Sequence, residues 1–150
     1  LSDKGVSIAE ITLHVGVGTF RPVKTDLISE HKMHPEYFSI SESEADKINT
    51  ARARGGRIMA VGTTSLRAME TVISPEKKIL PGSGVTDIFI YPGFQIKSAD
   101  MLFTNFHLPK STLLMLVCAF AGRDNILNAY QLAIREKFRF FSYGDCMLIK

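Results

Sequence analysis

Apolar residues recur along the chain at two spacings, and stretches of the two kinds alternate. In residues 6–15 (VSIAEITLHV), Ile11, Leu13 and Val15 alternate with polar residues, and this period of two predicts a strand. Shorter apolar runs predict further strands at residues 57–61, 87–91 and 95–101.

Two stretches with helical spacing begin at small polar residues. Residues 41–54 open with a capping box, Ser41 with Glu44, and stop at a glycine pair. A second helix is predicted after Gly62, where the hydroxyls of residues 63–65 supply an N-cap. Its apolar face is formed by Leu66, Met69 and Ile73.

The most apolar stretch of the chain, residues 111–121, predicts a third helix. It is hydrophobic on all sides, so we expect it in the core, closed by Gly122. A fourth helix follows, capped by Asp124 or Asn125. Alternating strands and helices predict an α/β domain, with mixed α+β as the alternative. We expect a central sheet with flanking helices, forming one domain over residues 1–150.

Composition restricts the class of protein more than it restricts its partners. The 150 residues are 45% hydrophobic and 22% charged, the balance of an ordinary soluble globular domain. The net charge of +3 permits an anionic partner such as RNA without requiring one. The longest apolar run is too short to span a membrane, which takes about 20 residues.

The cysteines and the first residues bear on the compartment. Cys118 and Cys146 lack the spacing of metal ligands, and Cys118 lies in an apolar run. We therefore expect a buried free thiol and a reducing cytosol. Residues 1–10 have neither a signal-peptide pattern nor an initiator methionine, so we expect a processed or excised piece of a longer protein.

Polar residues are concentrated directly in front of the most apolar helix. The first N–H groups of a helix have no intrahelical partner and carry partial positive charge, so a buried helix needs a cap or a ligand there. The surrounding residues suit a carboxylate, phosphate or oxyanion. A capped helix end with a lysine extending to solvent explains them equally well. They are Asn105, His107, Lys110, Ser111 and Thr112.

The second helix start, VGTTSLR at residues 61–67, has the same physical logic. A glycine lets a ligand approach the backbone, and the helix N-terminus receives an anion. The spacing is not that of a phosphate-binding Walker loop, and a plain N-cap is the favoured alternative. The candidate ligand contacts are Thr63, Thr64, Ser65 and Arg67.

Metal binding and dinucleotide binding are only weakly indicated. His31, His34 and Glu36 resemble metal ligands, but Pro35 separates them, and no metal site is expected. A base or a ligand contact at His34 or Glu36 is the better hypothesis. The Gly-x-Gly in residues 14–23 lacks the third glycine of a dinucleotide fingerprint.

The remaining candidates lie at predicted strand ends and among aromatic residues. Asp87 opens the predicted strand 87–91 and Tyr91 closes it, so Asp87 is placed for acid/base chemistry or a ribose hydroxyl, with strand-edge polarity as the alternative. In RFFSYGD, residues 139–145, aromatic rings including that of Tyr143 suit stacking on a base, with Arg139 on a phosphate. Such rings more often belong to the core.

Six stretches, in order and spacing, resemble the S-adenosylmethionine:tRNA ribosyltransferase-isomerase family of queuosine biosynthesis. The similarity runs over nearly the whole chain, and NFHLPKSTLLMLV is its most specific part. The stretches are ITLHVGVGTFRPV, EHKMHPEYF, VGTTSLRAME, TDIFIYPGF, LFTNFHLPKSTLLMLVCAFAG and FRFFSYGDCMLI.

The resemblance implies a reaction. Family members move the ribosyl part of S-adenosylmethionine onto 7-aminomethyl-7-deazaguanine at the wobble position of tRNAs with GUN anticodons. The product is epoxyqueuosine, and adenine and methionine leave. S-adenosylmethionine is thus a substrate, no cofactor is implied, and the location is cytoplasmic.

That reaction gives the polar clusters candidate roles. A base must remove a proton beside the sulfonium, an acid must assist adenine, and an alkoxide needs stabilisation. The acid/base candidates are His107, Asp87 and His34. Candidates for the methionine carboxylate or a tRNA phosphate are Thr63, Thr64, Ser65 and Arg67, with Lys110, Ser111 and Thr112 at the other helix start. Tyr91 and Tyr143 are candidates to stack on adenine or the deazaguanine.

The chain departs from the family in length. The resemblance implies the C-terminal part of a multi-domain enzyme, without the N-terminal part and a small β domain, so some strands are expected to lack partners. One alternative is an inactive fragment acting only as a tRNA- or nucleotide-binding module. Another is an S-adenosylmethionine methyltransferase, disfavoured because the glycine-rich loop of a Rossmann site is missing.

Overall fold

The computed structural model describes residues 1–16, 28 and 31–150, and in them it shows helices and strands arranged around two small sheets. The α/β class is confirmed, with two three-stranded sheets in place of one central sheet. A 3-10 turn at Ser2–Lys4 precedes the first strand. In chain order, the elements are β1 (Thr12–His14), β2 (Glu36–Ile40), α1 (Glu42–Ala53), β3 (Met59–Val61), α2 (Thr63–Val72), β4 (Gly82–Thr86), β5 (Met101–Asn105), α3 (Thr112–Ala121), α4 (Arg123–Arg135) and β6 (Cys146–Ile149).

The first sheet is antiparallel, in the order β1-β2-β4. Its central strand β2 alternates strictly, with Glu36, Phe38 and Ile40 buried and Tyr37 exposed. Glu36 pairs with Thr86 on β4, and both of these polar residues are buried. One face of this sheet therefore packs on the core and carries an unusual charged residue into it.

The second sheet, β3-β5-β6, brings two helix starts to one edge. β3 and β5 are parallel with Val61 opposite Phe103, and the Gly62 N–H donates to the Phe103 carbonyl at 2.9 Å. Parallel strands end at the same edge of a sheet, and α2 follows β3 directly while α3 follows β5 after a short loop. Ligands of open α/β sheets bind at such carboxyl ends.

Two predicted helices are confirmed in detail. The Ser41 hydroxyl accepts the Glu44 N–H at the start of α1, which is one half of the predicted capping box; the Glu44 carboxylate accepts the Glu10 N–H instead of completing the other half. α3 runs from a Ser111 cap to Gly122, whose φ of 85° is one that side-chain-bearing residues rarely adopt. Leu116 and Val117 of α3 are fully buried, in agreement with a core helix.

Several strand predictions are wrong. The predicted strand at 87–91 has no ladder, because β2 pairs instead with the preceding segment, Gly82–Thr86. That segment (GSGVT) has little intrinsic strand propensity, so cross-strand pairing overrides propensity here. Similarly, β5 begins at Met101, where the predicted strand 95–101 ends. β1 covers three residues of the predicted ten, and β6 was not predicted.

Two predicted caps are also wrong. Gly62 caps α2 in place of residues 63–65, and Gly122 caps α4 in place of Asp124 or Asn125. The Asn125 side chain instead donates to the Ala121 carbonyl at 2.9 Å. Among the described residues, no helix is long and apolar enough to cross a membrane.

Candidate functional site

The start of α2 has open backbone donors. Gly62 is the N-cap, at φ 89° and ψ 145°, and no side chain caps the helix. The first N–H with a helical acceptor is that of Leu66, so the N–H groups of Thr63, Thr64 and Ser65 have no acceptor among the described residues. Thr63 is 7% exposed, and its hydroxyl, which has no hydrogen bond among the described residues, keeps part of that exposure. This end of α2 can therefore receive an anion.

The start of α3 has one of its donors capped by its own side chain. The Ser111 hydroxyl accepts the Leu114 N–H at 3.1 Å and donates to the Leu108 carbonyl at 2.7 Å. Lys110 is exposed with a left-handed φ of 58°, and Thr112 is buried. The structure therefore favours the capped-end interpretation of Lys110, Ser111 and Thr112 over a ligand site.

A cavity of about 780 Å³ lies beside α2. Val61, Ser65 and Met69 line it, together with residues of α1 and of the segment 5–11. None of the residues at the α3 start line it. The two helix starts thus share a sheet edge, but of the two only that of α2 borders this cavity, through Ser65.

His107 follows β5 and is the one catalytic candidate that is buried. Its Nε2 lies 3.0 Å from the Thr104 hydroxyl, and its backbone N–H donates to the Tyr130 hydroxyl at 2.7 Å. Burial lowers the pKa of His107 from 6.5 to about 4, so its imidazole is neutral at pH 7. The neutral imidazole can accept a hydrogen bond at pH 7, but a pKa this far below 7 makes it a weak general base.

Aromatic residues predicted to stack on a base are divided between core and surface. Phe140 packs on Phe106 and Tyr130 with ring centroids 5.1 and 5.7 Å apart, next to His107. The Arg139 guanidinium bonds Asp145 at 3.3 Å. Tyr143, by contrast, is 97% exposed and available to an external partner.

The structure gives Arg67 an internal partner, which corrects its prediction as an anion ligand. Its side chain is 1% exposed, and its Nη1 lies 2.6 Å from Oε2 of Glu36. Its Nε donates to the Ile88 carbonyl at 3.2 Å. Burial lowers the pKa of the Arg67 guanidinium, and the charges of Glu36 and Asp87 oppose that shift. Arg67 therefore ties α2 to the first sheet.

His34 and Asp87 lie at one end of the first sheet. Glu36 opposes Thr86 in an antiparallel pair, so His34 just before β2 and Asp87 just after β4 extend from the same end. Both are exposed. Tyr91 is partly exposed, with its ring 5.1 Å from that of Phe89. The acid/base candidates thus form two groups, one on each sheet.

Other predicted features are only partly described. Residues 17–23 of the Gly-x-Gly stretch lie outside the described residues. His14 lies on β1, exposed, with its ring edge-on to Tyr37. Within the described chain, no group of three or more histidine, cysteine or acidic side chains is placed to hold a metal ion.

Sequence reasoning missed buried polar groups that shape the site. The Glu70 carboxylate accepts the N–H groups of Lys97 and Ser98 at 2.8 and 2.6 Å, which anchors the loop before β5. The sequence did indicate this burial. Glu70 lies four residues after Leu66, so it lies on the apolar face of the predicted helix. The contact of His107 with Tyr130 had no local signal, because the two residues are 23 positions apart.

Known proteins match this chain over nearly its full length. The family model described as queuosine biosynthesis protein matches residues 1–149. The S-adenosylmethionine:tRNA ribosyltransferase-isomerase of Natranaerobius thermophilus is 59% identical over the whole chain, and that of Moorella thermoacetica is 60% identical over 149 residues. The crystal structure of S-adenosylmethionine tRNA ribosyltransferase from Thermotoga maritima matches 99% of the chain at 44% identity, with a TM-score of 0.78.

The matches cover less than half of each relative. The chain spans 44% of the length of the two curated relatives and 47% of the Thermotoga chain. Which part of the full-length protein it represents stays a prediction. The match over 149 residues nonetheless shows the family, and this chain belongs to the queuosine biosynthesis proteins.

Proposed function

We propose that this chain carries part of the active site of an S-adenosylmethionine:tRNA ribosyltransferase-isomerase. The reaction transfers and isomerises the ribosyl moiety of S-adenosylmethionine onto 7-aminomethyl-7-deazaguanine at the tRNA wobble position. It gives epoxyqueuosine-tRNA, adenine and methionine. Within a chain of this family, the observation that carries the proposal is the uncapped start of α2 beside a cavity.

The α2 start is assigned to the methionine carboxylate of the substrate. Its free N–H groups and the hydroxyls of Thr63, Thr64 and Ser65 offer several donors to one anion. Partial positive charge at a helix N-terminus adds to each of these hydrogen bonds. Ser65 lines the cavity, so an anion held there has room for the rest of the molecule. The α3 start has a smaller role, with Lys110 free for a tRNA phosphate.

His107 is assigned the role of general base. The reaction needs a proton removed from the ribose carbon next to the sulfonium. The assignment rests on position, because the imidazole follows β5 at the edge where α2 begins. Burial lowers its pKa to about 4, so it is unprotonated at pH 7 but a weak base in the substrate-free chain. Asp87 and His34 are then left to assist the departure of adenine, and Tyr91 and Tyr143 to stack on the bases.

The partners follow from the same reaction. They are a tRNA with a GUN anticodon and S-adenosylmethionine, in the cytoplasm, with no separate cofactor. The alternative is a module that binds tRNA or a nucleotide without turnover, which the limited coverage of the relatives keeps open.

Product analysis separates these functions. The chain is incubated with S-adenosylmethionine and tRNA carrying 7-aminomethyl-7-deazaguanine, and small molecules and digested tRNA are analysed by mass spectrometry. Adenine, methionine and epoxyqueuosine together support the proposal. Salt-dependent tRNA binding without turnover supports the binding module. S-adenosylhomocysteine would indicate a methyltransferase and contradict both.

A matched pair of variants tests the base. His107→Gln removes the buried imidazole, whereas His14→Gln removes an exposed one on β1. We expect loss of turnover only in the first, with S-adenosylmethionine binding retained in both. The full-length Thermotoga relative with the aligned substitutions is assayed in parallel. Normal turnover by the His107→Gln variant of this chain and by the equivalent variant of the Thermotoga relative would exclude this role.

A further inference from the structure

The turn between α1 and β3 carries two arginines that the fold does not use. Its sequence is RGGR, with Arg54 directly after α1 and Arg57 before β3. Both residues are exposed, and neither guanidinium has a hydrogen bond or an ion pair among the described residues. By contrast, the guanidinium of Arg52 donates to the carbonyls of Lys77 and Ser98 and so fixes α1 to two loops. The arginine inside the helix thus has a structural role, and the two that follow it are free.

The turn itself is closed by its own hydrogen bonds. Gly55, with a left-handed φ of 77°, donates its N–H to the Arg52 carbonyl at 2.9 Å, and Gly56 donates to the Ala51 carbonyl at 2.9 Å. This pair of bonds is a Schellman motif, which satisfies carbonyls at the end of a helix. A Cβ at Gly56 would lie 2.8 Å from the Ala51 oxygen, so a side chain there would displace the turn. The backbone that carries the two free arginines is therefore in place before any ligand binds, which lowers the entropic cost of binding.

Both free arginines line the cavity beside α2. The other charged residues that line it are Asp46 and Lys47, and Lys47 is paired with Glu44 at 2.7 Å. Asp46 has no ion pair among the described residues. Two unpaired guanidinium groups therefore face a single free carboxylate, and this side of the cavity carries net positive charge. The arginines are exposed at its edge, whereas Ser65 of the α2 start is half-buried.

The charges of the two substrates decide which of them suits this edge. S-adenosylmethionine carries a sulfonium and an ammonium against one carboxylate, so it is a net cation and guanidinium groups repel it. Its carboxylate also has donors at the α2 start in the proposed function. A tRNA carries a negative phosphate at each nucleotide, and the planar guanidinium matches two phosphate oxygens with paired N–H groups. The charge of this edge therefore fits the tRNA and not the sulfonium substrate.

We propose that Arg54 and Arg57 bind backbone phosphates of the tRNA at the edge of this cavity, next to the nucleotide that receives the ribosyl group. The assignment rests on the proposed function, in which the tRNA base and the ribose of S-adenosylmethionine must meet in one cavity. The α2 start then holds the small substrate inside the cavity, and the RGGR turn holds the tRNA strand at its edge. The two substrates thus use different walls of one cavity.

The salt dependence of tRNA binding tests this assignment. A protein that binds phosphates releases counterions, so the slope of the logarithm of the binding constant against the logarithm of the salt concentration reports the number of contacts. Arg54→Gln and Arg57→Gln are compared with Arg123→Gln, which removes an exposed arginine of α4 that does not line the cavity. We expect each of the first two to weaken tRNA binding and to flatten the slope by about 0.7 to 0.9. Arg123→Gln should leave the slope unchanged, and S-adenosylmethionine binding in calorimetry should be the same in all three variants.

Lysine variants separate loss of charge from loss of structure. Arg54→Lys and Arg57→Lys keep the positive charge, so we expect the slope of the unsubstituted chain, with weaker binding because an ammonium cannot form the paired bonds of a guanidinium. The thermal unfolding midpoints of the glutamine variants should equal that of the unsubstituted chain, because neither side chain has a partner among the described residues.

Several results would overturn the proposal. An unchanged slope in both glutamine variants, or an equal change in Arg123→Gln, would show that the RGGR turn makes no phosphate contact of its own. Weaker S-adenosylmethionine binding would show that the arginines hold the methionine carboxylate. Absence of tRNA binding by the unsubstituted chain would also refute the proposal.

The proposed function fails by a different result. If product analysis shows no turnover while the slopes change as expected, the enzyme is refuted and the phosphate site stands. If turnover occurs and the slopes do not change, the phosphate site is refuted and the enzyme stands.

Discussion

The two helix starts at the carboxyl edge of β3 and β5 resemble each other in sequence and differ in structure. Both place hydroxyl residues at the beginning of a helix, GTTS for α2 and KST for α3. At α3 the Ser111 side chain accepts the N–H of Leu114, the third residue of the helix, whereas at α2 no side chain accepts any of the first N–H groups. A serine at the N-cap position closes a helix end, and a glycine there leaves it available to a ligand.

The means by which each helix start is held also differ. α3 is embedded among apolar side chains, whereas α2 is fixed to the first sheet through the buried pair of Arg67 and Glu36. An internal ion pair keeps α2 in place without using the donors at its end. The uncapped end and the anchoring residue are therefore separate parts of one helix.

The largest expected effect comes from breaking that anchor. Arg67→Met leaves the Glu36 carboxylate buried near Thr86 without its guanidinium, and we expect a loss of about 3 to 5 kcal/mol in the free energy of unfolding. The double variant Arg67→Met with Glu36→Gln should recover much of this loss, because it removes the buried carboxylate charge together with the guanidinium that faces it. Urea denaturation measures the free energy of unfolding of the single and the double variant. A single variant as stable as the parent would show that the pair does not fix α2.

The second prediction concerns pH and belongs to the α3 side. Burial lowers the pKa of His107 to about 4, while the unfolded chain protonates near 6.5. Between pH 4 and pH 6.5 the unfolded state binds more protons than the folded state. The contribution of His107 to the free energy of unfolding is therefore complete above pH 6.5, and it decreases by up to about 3 kcal/mol as the pH falls towards 4. His107→Gln should flatten this part of the profile. Urea midpoints at pH 7.5 and 5.0 check it, and equal pH dependence in parent and variant would contradict it.

Gly62 provides the third prediction. Its φ of 89° with ψ of 145° lies in a region open almost only to glycine, although a Cβ there would meet nothing closer than the Ser65 hydroxyl at 4.0 Å. Gly62→Ala should therefore cost about 1 to 3 kcal/mol through backbone strain alone. Gly16→Ala, at a glycine without a positive φ and with open space around it, is the control. The thermal unfolding midpoints of the Gly62→Ala and Gly16→Ala variants test this prediction. Equal midpoints would show that the backbone at Gly62 is not strained by a side chain.

The sequence predicted the helices better than the strands, for a physical reason. Capping residues and apolar spacing are local, and they predicted α1 and α3 closely. Strands depend on distant partners. β2 pairs with GSGVT and not with the more strand-like DIFIY, and no local pattern of the sequence predicts this pairing.

The candidate site divides in the same way. At the start of α2 the sequence favoured a plain N-cap over a ligand site, and the structure lacks that side-chain cap. The burial of Arg67 was not predicted, because it depends on Glu36, 31 residues away. A charged residue at a helix start can bind a ligand or hold the fold, and only its tertiary neighbours decide between the two.

The smallest expected effect on stability concerns one serine hydroxyl at each helix start, and it tests the comparison of α2 with α3 most directly. Ser111→Ala removes the cap of α3 and should cost about 1 kcal/mol. Ser65→Ala removes a hydroxyl with no hydrogen bond among the described residues, and it should change stability by less than about 0.5 kcal/mol. For ligand binding the order should reverse: Ser65→Ala weakens S-adenosylmethionine binding in calorimetry, and Ser111→Ala does not. A helix start that stabilises the fold with its hydroxyl cannot also offer it freely to a ligand, so one variant that impaired both properties would refute the division of roles between α2 and α3.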